Sequence, residues 1–461
     1  MNVGLIVMSL LGAVLLGLVT LVAAPVLTKN LIFMAMLPVA AGFFLMMVLN
    51  FNTMFIFIIS TRSFLDPFLS KTKIGGGGGI GGILNVFVIV MVALMILRKP
   101  KALQGHRNLI PWIAFLSISA VTVLFSPEPP AAFKLLLNLM TYAMIFIAPC
   151  FLIQNQEDKK FWIKLLFISS FIPIAVANLG VVVKLPILYS FHRLQGTFTH
   201  SNILAFYCVL MTTITFYILK TRILRLSPMQ RILCWCYFLD ILGILVITQT
   251  RSAWMSFAAS FLIYSLIRER KMLLIFLFGG ILMLALPPVQ NRLKDLQSGT
   301  GVTTHDKLNS MAWRMKLWES ALPSIRDRIF TGHGLGSFEV LSPTFFKLEK
   351  KGAPAHNVYV ELIFETGIFG VLSYIGIFVS LLKTFYRRYR HSVGDMSKES
   401  VLLFSYLIGY MMVCTSDNAL YYLAFNWYLW FFVGVIIYAG MLPQAEEAEA
   451  TVVKEKTMDE S

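Results

Sequence analysis

The amino-acid sequence predicts an all-α protein, a polytopic membrane helix bundle of about 12–14 transmembrane helices with one large loop on its outer side. Hydrophobic residues make up 57% of the 461 positions and charged residues only 13%, whereas a soluble domain has roughly 25% charged residues. The charges lie in short clusters, and apolar runs of about 20 residues, the length of a membrane-spanning helix, separate them.

Apolar segments of spanning length follow one another along the chain. The chain begins with such a run directly after Met1 and Asn2, without a basic region or a cleavage site, so we predict a retained first helix. The third segment is short enough to be half of a broken helix, so 13 or 14 spans are predicted. The segments are 4–24, 31–48, 50–60, 80–97, 108–125, 132–153, 160–179, 200–219, 232–249, 252–267, 272–288, 357–384, 400–416 and 421–440.

These segments predict four regions of the chain. They are an N-terminal transmembrane bundle at 1–288, a loop at 289–356, C-terminal transmembrane helices at 357–441 and an acidic tail at 442–461.

Basic side chains are concentrated in alternate loops, and this predicts the orientation of the bundle. The positive-inside rule places these loops, both termini and the acidic residues from Glu446 to Glu460 on the cytoplasmic side. The net charge of +16 is thus a topology signal, and nucleic-acid binding is not predicted. The basic residues are Arg98, Lys99, Lys101 and Arg107; Lys220, Arg222, Arg225 and Arg231; Arg268, Arg270 and Lys271; and Arg387, Arg388 and Arg390.

The loops at 61–79, 126–131, 180–199 and 289–356 then face outward, and the last is by far the longest. We expect function there, since long loops carry function more often than short connectors do. Apolar residues at helical spacing in this loop predict an amphipathic helix, which lies either on the membrane interface or against the protein's own spans. They are Leu308, Met311, Met315, Trp318, Leu322 and Ile325.

Common catalytic and metal-binding motifs are absent from the sequence: there is no Walker loop, HExxH, Gly-x-Ser-x-Gly or Asp-x-Asp pair, and neither a metal nor a cofactor is predicted. The glycine run from Gly75 to Gly79, with Gly81 and Gly82, resembles a phosphate cradle but lacks the following Lys-Ser/Thr. A hinge or close packing is therefore the preferred interpretation. Five cysteines lie in apolar runs, so no disulfide framework is predicted; they are Cys150, Cys208, Cys234, Cys236 and Cys414.

Arginines on the outward side are candidates for binding an anionic lipid headgroup. Arg193 precedes a span in the segment 193–202, Arg251 stands between two apolar stretches, and Arg314 lies in the long loop. A charge near the hydrocarbon is a functional candidate by default, and a guanidinium binds phosphate in a planar, bidentate way. The alternative for each arginine alone is a side chain that snorkels to solvent; Arg251 is the strongest single candidate.

His356 is the candidate general base, because it stands where the chain re-enters the membrane and an imidazole there can accept a proton near pH 7. A structural interface histidine is the alternative, and for a single histidine the more common one. Asn357 can hydrogen-bond a hydroxyl-rich ligand. Glu361 and Glu365, one helical turn apart, can orient a partner or pair with an arginine.

Gly367 and Gly370 follow on the same predicted helix and would let a neighbouring helix approach closely. The other outward-facing histidines, His192, His200 and His333, are weaker candidates for a base.

Together these residues resemble the signature of the bacterial O-antigen ligase and Wzy-type polysaccharide polymerase superfamily. His356-Asn357 is followed after nine residues by Gly367 and after two more by Gly370. The segments 193–202, 248–254 and 313–338 are similar to its arginine-glycine-asparagine stretch, its serine-arginine turn, and its arginine-tryptophan helix followed by Gly-His-Gly-Leu-Gly. The resemblance covers residues 190–385 by motif and the remainder by hydropathy. Thr250 departs from the serine that the family often has before the arginine.

The resemblance implies glycosyl transfer without a cofactor on the periplasmic face of the bacterial inner membrane. The donor would be a glycan on undecaprenyl diphosphate and the acceptor a glycan or lipid core, with membrane lipid and other polysaccharide assembly proteins as further partners. His356 would be the base in a direct, inverting displacement. Arg193, Arg251 and Arg314 would bind the diphosphate, supported by Asn202, His333, Asn357, Glu361 and Glu365.

Two alternatives remain at this stage. The first concerns the acceptor: we favour polymerisation of a surface polysaccharide or exopolysaccharide over an O-antigen ligase that joins finished glycan to lipid A-core. The second is a flippase for lipid-linked oligosaccharides. A transporter typically has two related halves with a site near the midplane, whereas this chain shows no visible repeat and its candidate residues gather at one face.

Overall fold

A computed structural model describes residues 50–71, 73–74, 78–190, 193–285, 287, 289–290 and 310–442. The predicted spans 4–24 and 31–48, His192, Leu308 and the acidic tail from Glu446 to Glu460 lie outside the described residues. The described chain is almost entirely helical, which confirms the predicted all-α class.

The described helices are, in chain order, α1 (Phe51–Thr61), α2 (Asp66–Lys71), α3 (Ile80–Arg98), α4 (Leu109–Val123), α5 (Pro129–Ile147), α6 (Pro149–Leu152), α7 (Gln156–Ser169), α8 (Phe171–Val183), α9 (Ser201–Lys220), α10 (Pro228–Ile247), α11 (Arg251–Ile267), α12 (Met272–Leu284), α13 (Ser310–Asp327), α14 (Ser337–Phe345), α15 (Val358–His391), α16 (Gly394–Val413) and α17 (Leu423–Ala439). Short 3-10 helices lie at Pro100–Leu103, Pro186–Leu188 and Ala419–Tyr421. Two antiparallel hairpins pair β1 (Lys73–Ile74) with β2 (Gly78–Gly79) and β3 (Tyr189–Ser190) with β4 (Arg193–Leu194).

The predicted segments from 50–60 onward each coincide with helices, and two of them are divided. The segment 132–153 becomes α5 and α6, and 160–179 becomes α7 and α8, because Pro149 and Pro173 lack the amide hydrogen that would continue the helical ladder. Within the described residues, six helical stretches are long and apolar enough to cross a membrane: Gly81–Arg98, Pro129–Leu152, Gln156–Val183, Ser201–Lys220, Pro228–Ile247 and Val358–His391.

Helices α9 and α17 form the centre of the bundle. Every residue from Ser201 to Leu219 and from Ala424 to Ala439 is buried, the pattern of a helix surrounded by other helices. Helix α17 approaches α5 so closely at Gly434 that a Cβ there would collide with the Phe146 carbonyl. The outer helices expose large apolar side chains such as Ile110, Leu239 and Leu274, as expected of a surface that faces lipid.

The long loop folds against the start of α15 through a second, smaller apolar core. Its buried residues are Leu317, Ala321, Ile325, Phe338, Phe346, Ala353, Ala355 and Phe364. The Trp318 indole donates to the Ala355 carbonyl at 2.7 Å. This core fixes α13 and α14 on the bundle.

The predicted amphipathic helix is present as α13, but the predicted stripe is not its packed face. Leu317 is 0% exposed, whereas Met311, Met315 and Leu322 are 46%, 53% and 45% exposed. Ile325 and the partly buried Trp318 belong to both sets. Helix α13 therefore packs on the protein through a face that only partly coincides with the predicted stripe, and the exposed apolar residues remain candidates for the membrane interface.

The described part of the glycine-rich segment, from Gly78 onward, includes one strand and a closely packed helix start. Gly78 and Gly79 pair with Ile74 and Lys73 as β2. A Cβ at Gly81 would lie 2.8 Å from the Leu69 carbonyl oxygen, in keeping with the interpretation of close packing.

Helix α15 is broken at Gly367, where φ is 68° and ψ is −174°, a conformation essentially confined to glycine. The turn at residues 329–330 fills the break: Ile368 donates its amide hydrogen to the Ile329 carbonyl at 2.8 Å. A Cβ at Gly367 would lie 2.6 Å from the Phe330 carbonyl carbon. The close neighbour is thus the backbone of the long loop and not the predicted second helix. At Gly370 a Cβ would meet the Thr366 side chain of the same helix.

We predict that Gly367→Ala detaches the long loop from α15 and lowers the melting temperature of the purified protein. A strained backbone of this kind costs about 1–3 kcal/mol, and the collision with Phe330 adds to it. The matched control is Gly376→Ala, since a Cβ there meets only Pro111 at ordinary contact distance. An unchanged melting temperature in Gly367→Ala would show that the break does not hold the loop.

Candidate active site

Arg193 joins three elements at one end of the bundle. From strand β4 its Nε donates to the Thr248 carbonyl at 2.9 Å. Its Nη2 donates to Asn202 Oδ1 at 2.8 Å and to Thr250 Oγ1 at 2.5 Å. Arg193 therefore ties the start of α9 to the turn that precedes α11.

Asp417 is the acceptor on which the next hydrogen bonds converge. It lies in the connector between α16 and α17 and is 1% exposed. Its Oδ2 accepts from Asn202 Nδ2 at 2.7 Å, and its Oδ1 accepts from the Tyr422 hydroxyl at 2.5 Å and from the Asn418 amide at 2.9 Å. Since Asn202 also binds Arg193, the guanidinium and this carboxylate belong to one network.

Arg314 reaches the same connector from α13 in the long loop. Its Nη1 donates to the Ser416 carbonyl at 2.6 Å. Burial lowers the pKa of this guanidinium, while the Asp417 carboxylate opposes the shift. The connector that contains Asp417 is thus linked to Arg314 of the loop directly and to Arg193 of the bundle through Asn202.

His356 is held in a left-handed backbone conformation, with φ of 49°, which is uncommon for a residue other than glycine. Its neighbours are fixed on both sides. The Ala355 amide donates to Glu361 Oε2 at 3.2 Å, and the Val358 amide donates to the Cys414 carbonyl at 2.8 Å. Strain that the surroundings enforce in this way is a recognised feature of functional sites.

The imidazole of His356 has one nitrogen whose hydrogen-bonding capacity is unsatisfied. Its Nδ1 is buried without a hydrogen-bond partner among the described residues. Burial, together with the Arg314 guanidinium and His200, lowers the pKa of His356 to about 4, while the Asp417 carboxylate opposes the shift. The ring is therefore neutral at physiological pH and can accept a proton.

The two glutamates lie next to this site without meeting an arginine. Glu361 Oε2 also accepts from Asn418 Nδ2 at 2.6 Å. Glu365 accepts from the Phe338 amide and from the Tyr421 hydroxyl, each at 3.3 Å. Among the described residues neither carboxylate is in a salt bridge, so the predicted option of pairing with an arginine is wrong. Glu361 instead orients the residue that follows Asp417.

The remaining predicted site residues have mainly structural contacts. Asn357 caps α15 by accepting from the Tyr359 and Val360 amides at 3.0 and 3.1 Å. The His333 ring stacks on Phe364 with centroids 4.5 Å apart. Asn357 and His333 thus hold the frame around His356.

Arg251 is the first residue of α11 and half-buried. It directly follows Thr250, which accepts a hydrogen bond from Arg193.

Asp417 and Tyr422 were not predicted as site residues, and His200 was predicted only as a weaker candidate. The sequence does contain a feature that indicates a role for Asp417. It is an ionisable residue within Thr415-Ser-Asp-Asn418, a short polar connector between two spans on the predicted outer side, and such residues are functional candidates. His200 is the N-cap of α9, where its Nδ1 accepts from the Asn202 amide at 3.1 Å. Burial and Arg193 lower the pKa of His200.

No group of three or more His, Cys, Asp or Glu side chains that could hold a metal ion occurs in the part of the chain that the structure describes.

Comparison with known proteins gives a family match for part of the chain. Residues 236–375 match the model of the family described as O-antigen ligase, and the matched segment includes Arg251, Arg314 and His356. A comparison with curated proteins finds no match. The match supports the predicted resemblance to the O-antigen ligase family over residues 236–375.

Proposed function

We propose that this protein is an integral membrane glycosyltransferase that moves a glycan from undecaprenyl diphosphate to a sugar hydroxyl on the periplasmic face of the inner membrane. One observation carries the proposal. His356 has a left-handed backbone, and its Nδ1 is buried without a hydrogen-bond partner among the described residues; the charges of Arg314 and Asp417 both act on its ring. A proton acceptor beside a phosphate-binding cation is what such a transfer needs.

The reaction is a single displacement. The acceptor hydroxyl oxygen attacks the anomeric carbon of the donor and forms the new glycosidic bond. The bond from that carbon to the diphosphate oxygen breaks, and its electron pair leaves with the diphosphate. The hydroxyl proton passes to a ring nitrogen of His356, giving an imidazolium. Attack opposite the leaving group inverts the anomeric centre without a covalent enzyme intermediate.

The leaving diphosphate carries charge that the arginines would stabilise. Arg314 and Arg251 are the direct candidates, because fixed cations can supply the charge stabilisation that a leaving phosphate requires. Arg193 already donates to Thr248, Asn202 and Thr250. We therefore propose that Arg193 acts chiefly by positioning Asn202, and through it Asp417.

Donor binding would also tune the base. The Arg314 guanidinium is one of the groups that lower the pKa of His356. A diphosphate bound to that guanidinium would offset its field, so the pKa of His356 would rise towards neutrality. A general base is most effective when its pKa lies near the working pH. The histidine would thus become a stronger base when the donor is in place.

The acceptor separates a polymerase from a ligase, and both can use the same histidine. We favour a polymerase of a surface polysaccharide or exopolysaccharide, with O-antigen ligation to lipid A-core as the runner-up. The alternative of a lipid-linked oligosaccharide flippase leaves the strained, neutral His356 at one end of the bundle unexplained, since transporter sites lie near the midplane.

Replacement of His356 tests the chemical role. We expect His356→Ala to lower the rate of glycan transfer by purified, reconstituted protein by about a hundredfold to ten-thousandfold, the usual effect of removing a general base. The variant should elute as a single species with a melting temperature near that of the wild type.

The matched control is His391→Ala, an exposed histidine in the last turn of α15, which should leave transfer unchanged. Transfer at the wild-type rate by a folded His356→Ala protein would refute the proposed base.

Deletion of the gene distinguishes the acceptors. We expect single repeat units to accumulate on undecaprenyl diphosphate, because subunits are still made and exported but not joined. The glycan length on the lipid carrier and at the cell surface is the measurement. Long chains on the carrier together with bare lipid core would identify a ligase. Repeat units retained on the cytoplasmic leaflet would favour a flippase.

A further inference from the structure

A basic cleft lies at the far end of α9 from the candidate active site. Helix α9 begins at Ser201, beside the Asn202–Asp417 hydrogen bond, and ends at Lys220. Twenty helical residues span about 30 Å, the thickness of the hydrocarbon core. The cleft, of about 990 Å³, lies between the end of α9, the start of α7 and the segment 221–231. It is on the side that the basic loops predict to be cytoplasmic.

The cleft is strongly cationic. Its charged lining comprises one carboxylate, Glu157, and five basic residues, namely Lys160, Lys164, Arg222, Arg225 and Arg231. Glu157 is paired with Lys160 at 2.5 Å. The Arg231 guanidinium donates to the Leu219 carbonyl at 3.3 Å. The side chains of Lys164 and Arg225 have no hydrogen-bond or ion-pair partner among the described residues, so the cleft holds positive charge that its own carboxylate does not balance.

The rest of the lining is apolar. Phe161, Ile218, Leu224 and Leu226 contribute to the same cleft. On α10 beside it, Met229, Ile232 and Leu233 are 66%, 59% and 59% exposed. Cations at the ends of membrane-length helices, with an exposed apolar surface alongside, match a molecule that has an anionic head and hydrocarbon chains.

We propose that this cleft binds the phosphodiester headgroup of an anionic glycerophospholipid from the cytoplasmic leaflet. The unpaired cations of Lys164 and Arg225 contact the phosphate, and the acyl chains lie along the exposed face of α10. A soluble phosphate compound would satisfy the cations but would leave the apolar lining in water. The site is separate from the catalytic chemistry and does not depend on the proposed function.

The test compares lipid selectivity of the full-length protein in phosphatidylcholine vesicles. Spin-labelled phosphatidylglycerol and spin-labelled phosphatidylcholine are each introduced at trace level, and the motionally restricted fraction is measured by electron paramagnetic resonance. We expect the wild type to retain phosphatidylglycerol preferentially. In the double variant Lys164→Gln/Arg225→Gln the selectivity should fall by about 25-fold, because each of the two cations near an anionic surface contributes roughly a factor of five.

The control is Arg268→Gln/Arg270→Gln, which removes the same charge from exposed residues outside the cleft and should retain the wild-type selectivity. Equal selectivity in the cleft variant and the wild type would overturn the proposal. Loss of lipid retention in the wild type on addition of millimolar inorganic phosphate at constant ionic strength would assign the cleft to soluble phosphates and would also overturn it.

Discussion

The Asp417 carboxylate is almost fully buried. It accepts hydrogen bonds from the side-chain amide of Asn202 and from the Tyr422 hydroxyl. A buried carboxylate is costly unless its oxygens are satisfied and its charge is offset. Here the hydrogen bonds come from α9 and from the start of α17, and the offsetting charge comes from Arg314 in the long loop. The need to satisfy one carboxylate thus brings the loop and the bundle together at the candidate site.

His356 depends on the same assembly. Its left-handed backbone is maintained because Trp318 fixes the Ala355 carbonyl and Cys414 fixes the Val358 amide. These contacts come from α13 and from the end of α16, so the histidine is positioned only when the loop is folded on the bundle. A base that is held in place before the substrate arrives needs little reorganisation during the reaction. The break in α15 at Gly367 also holds the loop on the bundle, because the loop backbone at residues 329–330 fills it.

The sequence was sufficient for the helical class, for most helix positions and for the order of the motifs, because each depends on hydrophobic runs and local spacing. The packed face of α13 was mispredicted, since a helix with apolar residues on two sides does not reveal which side meets the protein. Asp417 was not predicted as a site residue because the residues it interacts with, Asn202 and Arg314, lie more than 100 positions away in the sequence. The role of Gly367 likewise required the loop backbone, which no periodicity indicates.

The central claim is that Arg314 and Asp417 act on His356 in opposite directions. The most direct test is the pH dependence of kcat/KM for transfer by the wild type, Arg314→Gln and Asp417→Asn. Activity requires neutral His356 and is lost as the pH falls through its pKa, which is about 4 in the free protein. Because Arg314 lowers this pKa and Asp417 raises it, the acidic limb should move to higher pH in Arg314→Gln and to lower pH in Asp417→Asn. Acidic limbs that coincide in all three proteins would contradict the account.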